Sequence, residues 1–253
     1  MIIETNQIYL GNSYRLLKYI PDKSVDLVII DPPYDFKHGG KMTGIFRDRG
    51  TRHFDALENT GLTLNYDYKS ILEQLNRVMK CVNIYIWCNK EQLLQYLNFY
   101  NDKKYRFELF IWEKTNPMPL TNNRFLPDKE YCLWFGENGK VKLRGDYSTK
   151  NTVYREKANT DDKKIFSHPT IKPLEIIKNM VINSSDENDI VLDCFMGSGT
   201  TCVAAKELGR RYIGIEIDKN YFKIAKDRLN GITTNGQTSI FTDFDNVEVI
   251  KND

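Results

Sequence analysis

The sequence predicts an α/β protein built on a single doubly wound, mostly parallel sheet. Two observations carry this. Short apolar runs alternate along the chain with segments of helical periodicity, and from Lys172 onward the alternation sharpens into a βαβα pattern. Parallel neighbours in a sheet need crossover helices, and those helices cover both of its faces.

The elements follow in order. Ile8 to Leu10 reads as a short strand and Ser13 to Ile20 as a helix. Val25 to Ile30 reads as a buried strand running straight into Asp31-Pro32-Pro33-Tyr34, where two prolines end it. Asp67 to Lys80 carries Ile71, Leu72, Leu75, Val78 and Met79, the stripe of a helix packed on one face. Val82 to Cys88 is a strand and Glu91 to Tyr100 a helix. Tyr105 to Glu113 sets Phe107, Leu109 and Ile111 against Arg106, Glu108 and Phe110, as a half-exposed strand does, and Glu130 to Phe135 continues the sheet. A Pro173-led helix then reaches about Ser184. A strand follows over Ile190 to Asp193, a glycine loop opens a helix to Leu208, and a strand covers Tyr212 to Glu216. The last helix, Lys219 to Leu229, has Asp218 as its N-cap.

Two stretches break the alternation. Residues 35–65 hold five glycines and the bases Lys37, Lys41, Arg47, Arg49 and Arg52, and read as a mobile loop of functional length. Residues 120–167 hold ten Lys/Arg against seven Asp/Glu and read as an inserted segment. Both belong to one domain spanning 1–253.

Composition excludes several classes. With 253 residues, 41% of them hydrophobic, the chain can bury a sizeable core without staples, so disorder is ruled out. No apolar run approaches the roughly 20 residues of a membrane span. The five cysteines form no C-x-x-C pair and His38, His53 and His168 are scattered, which argues against a zinc site or a disulfide framework. A cytoplasmic protein with reduced thiols and no membrane partner is expected. The net charge of +2 means that a polyanionic partner must be met by local basic patches.

Two strand ends carry the chemistry. Asp193 to Thr201 lies between a strand and a helix, with Glu216 closing the next strand. Gly197 and Gly199 let backbone amides approach a ligand, and Glu216 is placed to accept ribose hydroxyls. Gly197-x-Gly199-x-x-Cys202 departs from a dinucleotide loop only at its last position, so a nicotinamide-dependent oxidoreductase stays open on this element alone. Asp31 to Tyr34 supplies an acceptor carboxylate, a rigid turn with a free carbonyl, and a ring on which a flat group can stack. Acceptors beside a stacking platform suit the exocyclic amino group of a base.

Together these elements resemble the DNA amino-methyltransferases, which methylate adenine N6 or cytosine N4 with S-adenosylmethionine. Asp31-Pro-Pro-Tyr34 is similar to the family's catalytic D-P-P-Y, and Asp193 to Thr201 to its F-x-G-x-G-T cofactor loop. His168-Pro-Thr-Ile-Lys-Pro173 is similar to H-P-T-x-K-P, and Trp112-Glu-Lys-Thr-Asn-Pro117 to W-x-K-x-N-P. The catalytic element precedes the cofactor element, as in the permuted β class. The resemblance therefore implies a circularly permuted Rossmann-like methyltransferase fold, with 120–167 in the slot of the target-recognition segment.

The resemblance also implies roles. Asp31, Pro32, Pro33 and Tyr34 would be catalytic. Asp193, Phe195, Gly197, Ser198, Gly199, Thr200, Glu216, Asn12, His168, Thr170 and Lys172 would bind the cofactor, although Lys172-Pro173 also reads simply as a helix start. A base that leaves the duplex would stack on Tyr34 and give its amino hydrogens to the Asp31 carboxylate and the Pro32 carbonyl. Asp before the two prolines favours adenine, with cytosine N4 as the alternative, and an intact motif argues against a catalytically silent relative. DNA, a homodimer partner and a cognate restriction endonuclease are the implied partners.

Overall fold

The computed structural model describes residues 2–33, 66–117, 125–157 and 171–232. The elements of the sheet are β1 (Gln7–Leu10), β2 (Leu27–Ile30), β3 (Asn83–Cys88), β4 (Tyr105–Lys114), β5 (Lys129–Glu137), β6 (Val153–Glu156), β7 (Ile190–Asp193) and β8 (Arg211–Glu216). They are ordered β1-β8-β7-β2-β3-β5-β4-β6 in one sheet. All pairings are parallel except those of β5, which runs antiparallel between β3 and β4. The expected doubly wound, mostly parallel class is what folds.

Helices α1 (Ser13–Leu16), α2 (Tyr68–Val78) and α3 (Leu93–Phe99) cover one face of the sheet. Helices α4 (Leu174–Ser184), α5 (Thr200–Glu207) and α6 (Lys219–Leu229) cover the other. Side-chain alternation along each strand feeds two cores. Val28, Ile30, Ile84, Ile86 and Leu192 point to the first face, and Leu27, Ile29, Tyr85, Trp87 and Val191 to the second. On α2 the predicted stripe of Ile71, Leu72, Leu75 and Val78 is fully buried, each side chain contributing about 1.5–3 kcal/mol by transfer from water. Asp67 caps that helix by accepting the amides of Lys69 and Ser70, and Asp218 caps α6 as its position predicts.

Three local expectations change. The helix from Ser13 is α-helical only to Leu16 and tightens into a 3₁₀ turn over Leu17–Tyr19, ending before Pro21. Strand β2 begins at Leu27, with Val25 held by a single bridge to Met79. In β4 the expected apolar face is only partly covered: Phe107 is 61% exposed and Leu109 packs against the first core, while Phe110 and Trp112 on the other face are buried. Helix α4 and the residues around Val141 and Tyr154 pack on the Phe110 and Trp112 side, and their cover decides what is buried.

The segment expected to be inserted, 120–167, supplies two strands of the sheet. β5 is hydrogen-bonded along both edges and β6 lies at the sheet edge, so those residues are part of the framework. The loop 35–65 and most of the tail after Gly231 lie outside the described residues. Among the described residues no helix is long and apolar enough to cross a membrane.

Candidate active site

β7 and β2 are neighbours, yet their crossovers leave in opposite directions, β7 through α5 to β8 and β2 through α2 to β3. Doubly wound sheets bind ligands at such a switch point, outside the carboxyl ends of the strands. Ile29 and Val191 face the second core. Asp31 and Asp193, two residues beyond them, therefore project to the same side. A cavity opens there, lined among others by Asp31, Trp87, Lys172, Asp193, Phe195 and Thr201.

On the β7 side, Asp193 is 4% exposed and its Oδ1 accepts the Phe195 amide at 3.0 Å. Burial pushes its carboxyl up to about 7, against hydrogen bonds from Thr201 and the Phe195 N–H, and nearby Asp31 and Glu216 push the same way. Gly197 and Gly199 take left-handed φ values of 51° and 79°, which turn the chain into α5. A Cβ on Gly199 would sit 2.9 Å from the Ala225 Cβ, so the loop is seated directly on α6. Arg228 of α6 braces it further, donating to the Ser198 carbonyl, the Ser198 hydroxyl and the Thr200 Oγ1 at 2.8–2.9 Å.

Glu216, at the end of β8, accepts the Gly197 amide on Oε2 and the Asp218 amide on Oε1, both at 2.8 Å. Burial raises its carboxyl above the ordinary range, and the backbone donors oppose that. Asn12, expected near the cofactor, caps α1 with its Oδ1 on the Tyr14 amide at 2.8 Å. Phe195 meets Tyr66 edge to face at 5.8 Å. Tyr34, His168 and Thr170 lie outside the described residues.

On the β2 side, Lys172 lines the same cavity as Asp193 and the glycine loop and is paired within it. Expected among the cofactor residues, it is 7% exposed and places Nζ 2.5 Å from Asp31 Oδ2 and 3.2 Å from Glu130 Oε2. Burial alone would push its ammonium down, but the two carboxylates outweigh that and hold it above the ordinary lysine range. Gln92, fully buried after β3, donates Nε2 to the Pro33 carbonyl at 3.1 Å. The turn is thus clamped at both ends.

The sequence reading singled out neither Gln92, Arg228, Glu130 nor Trp87. Glu130 had one usable signal, a charge opening an otherwise apolar strand. Gln92 and Arg228 look like ordinary helix residues until the fold brings them to the two loops.

The pocket suits S-adenosylmethionine. Its sulfonium and ammonium are cationic, and Asp193 is a buried carboxyl that a cation would relieve. The glycine loop lacks side chains where a ligand must approach the backbone. The buried Trp87 Nε1 lines the same cavity and has no hydrogen-bond partner among the described residues.

Comparison with known proteins agrees with this geometry. A family model described as a DNA methylase, of the N6/N4 type, matches residues 25–227. The type II methyltransferase M.HinfI of Haemophilus influenzae is 32% identical over 91% of this chain and 70% of its own length. M2.LlaDCHI of Lactococcus lactis subsp. cremoris is 32% identical over 89% of this chain and 90% of its own. The crystal structure of the M1.HpyAVI–SAM complex superposes with a TM-score of 0.65 at 28% identity, covering 88% of this chain and 98% of that one. With the Asp-Pro-Pro turn and the glycine loop facing one cavity across the switch point, the chain belongs to the N6/N4 DNA methylases and is an S-adenosylmethionine-dependent DNA methyltransferase.

Proposed function

We propose that the protein methylates the exocyclic N6 of adenine at a short specific sequence in DNA, acting on a base turned out of the duplex. The observation that carries this reading is Asp31: a carboxylate at the carboxyl end of β2, oriented by Lys172, in the same cavity as Asp193 and the glycine loop. S-adenosylmethionine supplies a methyl group already activated on sulfonium.

The adenine amino group is a poor nucleophile because its lone pair is delocalised into the ring, so the protein's work is orientation and hydrogen bonding. Asp31 and the Pro32 carbonyl accept the two amino hydrogens, favouring a pyramidal nitrogen whose lone pair is aimed into the cavity. The Pro33 carbonyl already accepts from Gln92, and the Pro32 carbonyl is the proposed backbone acceptor for the amino group. Tyr34 is the proposed stacking surface, worth about 1–3 kcal/mol per base. On the cofactor side, Asp193 faces the methionine ammonium. Glu216, already fixed by two amides, has lone pairs left for ribose hydroxyls. Gly197, Ser198, Gly199, Thr200 and Phe195 are assigned to the wall of that subsite, and Asn12, His168, Thr170 and Lys172 are assigned to the cofactor by the family resemblance.

The basic residues of 35–65 and of the parts of 120–167 outside β5 and β6 are assigned to DNA, the second as the recognition segment. The names of the relatives, type II methyltransferases, support a restriction-modification setting with a cognate endonuclease; the homodimer is assigned from the family resemblance alone.

The test is incubation of the protein with S-adenosylmethionine and mixed-sequence DNA, followed by nucleoside mass spectrometry and mapping of modified positions. N6-methyladenine at one motif is expected. N4-methylcytosine would overturn the choice of base, and modification without a motif would overturn sequence specificity.

A further inference from the structure

Lys114 and Lys172 come from the two motifs that flank the recognition segment, and the fold brings both to one carboxylate. Glu130 lies directly across from Trp112 in the β4–β5 pairing and diagonal to Lys114, on the second face of the sheet. Its Oε1 is 2.5 Å from Lys114 Nζ and its Oε2 is 3.2 Å from Lys172 Nζ. Each ammonium also sits 5.2 Å from the centre of an indole, Lys114 on Trp112 and Lys172 on Trp87, and those two rings meet edge to face at 6.5 Å. Asp31 ends this chain of charges, 2.5 Å from Lys172.

We propose that Glu130 is a positioning residue for methyl transfer: gripped by Lys114, it keeps the Lys172 ammonium charged and aimed at Asp31, and so fixes the carboxylate that receives the target amino group. This rests on the reading of Asp31 given above.

The groups around Lys172 support the assignment. Asp31 faces it from the end of β2, Glu130 and Cys132 from β5, and Cys88 from β3, while Asp193 of β7 faces Asp31. Burial pushes both thiols up, Cys88 to about 12, so they are neutral and the two carboxylates are the charged neighbours that act on Lys172. Burial works against ionisation of Glu130, yet Lys172 and Lys114 bring it down to about 2, so it is charged throughout the working range. Without that charge, Lys172 keeps one of its two described carboxylates, Asp31, against burial, and the ammonium loses its proton at lower pH. Without Lys114, Glu130 keeps one cation of two and takes up a proton at higher pH.

Four proteins decide it: wild type, Glu130→Gln, Lys114→Met and Asp31→Asn. Single-turnover methylation is followed at neutral pH over a range of cofactor and DNA concentrations, so that the maximal rate is separated from the two affinities. Glu130→Gln is expected to slow maximal transfer about 10–100-fold, as loss of positioning does, with cofactor and DNA affinity little changed. Lys114→Met, which leaves Glu130 one cation of two, is expected to give a smaller loss of the same kind. A role in stability alone does not confine the loss to the maximal rate. A loss confined to affinity, or a Glu130→Gln protein as fast as wild type beside an inactive Asp31→Asn, would overturn the proposal. A fully active Asp31→Asn would instead overturn the reading of Asp31. Should Glu130→Gln not fold, the maximal rate of Lys114→Met decides.

Discussion

Gln92 donates its side-chain amide to the carbonyl of Pro33, and so the fully buried end of a turn after β3 holds the end of the Asp31-Pro32-Pro33 turn after β2. The same side chain accepts the Asn89 amide on Oε1 and its own backbone N–H is held by Asn89 Oδ1. Truncating Gln92 therefore frees several buried polar groups at once. Gln92→Ala is expected to cost about 1–3 kcal/mol of stability, seen in chemical denaturation, because the Pro33 carbonyl is left unsatisfied. The methylation rate should fall about tenfold or more through loss of orientation, with cofactor affinity unchanged.

Asp31→Asn should slow transfer by about 10²–10⁴, the range for a positioned acid–base group, while cofactor binding measured by calorimetry changes less. Asp31→Ala is the harsher variant. It strips Lys172 of its closest partner, and breaking a buried ion pair destabilises by about 3–5 kcal/mol. An Asp31→Asn protein that keeps the wild-type rate while Asp31→Ala loses it would argue against a role for the carboxylate charge.

Cofactor affinity should depend on pH through Asp193. Its carboxyl is pushed up to about 7 by burial, and a cationic ligand binds the ionised form. Below that value binding must release a proton, so the dissociation constant should rise about tenfold per pH unit. Asp193→Asn should flatten this dependence and weaken binding at neutral pH, both readable by calorimetry in two buffers of different ionisation enthalpy.

The same residue should limit stability. Because the folded-state carboxyl titrates above its unfolded value, the folded protein binds more protons in between, and stability falls as pH rises through that window toward 7. Asp193→Asn keeps an acceptor for the Phe195 amide and removes the buried charge. It is expected to stabilise by about 2–4 kcal/mol at pH 8 while impairing function, the trade expected at a working site. Urea unfolding of both proteins at acid and alkaline pH would check it.

Gly199→Ala tests the cofactor loop. At φ 79° a side chain is strained, and its Cβ would press on Ala225. A loss of about 1–3 kcal/mol is expected, with weaker cofactor binding, while Gly139→Ala, also left-handed but in open space, should cost only the backbone strain.

The fold class was legible because it rests on local periodicity. The stripe on α2, the proline stop at Asp31 and the glycine loop after β7 are each written in a few consecutive residues. Asp31 and Asp193, which the fold brings to one cavity, were legible for the same reason, since a strand end and a loop composition mark them. The buried face of β4 was not, because alternation gives two faces without saying which one a helix will cover, and Phe107 ended outside. Gln92 and Arg228 were invisible because their importance is a long-range hydrogen bond, and neither has a local pattern. Sequence alone determined the layers, the strand ends that carry chemistry and the family they resemble. Tertiary structure alone decided that Lys172 belongs to Asp31 and that Glu130 stands between two lysines. Which charges meet depends on the order of strands in the sheet, and partners separated by more than a hundred residues, as Asp31 and Lys172 are, leave no trace in the spacing of either.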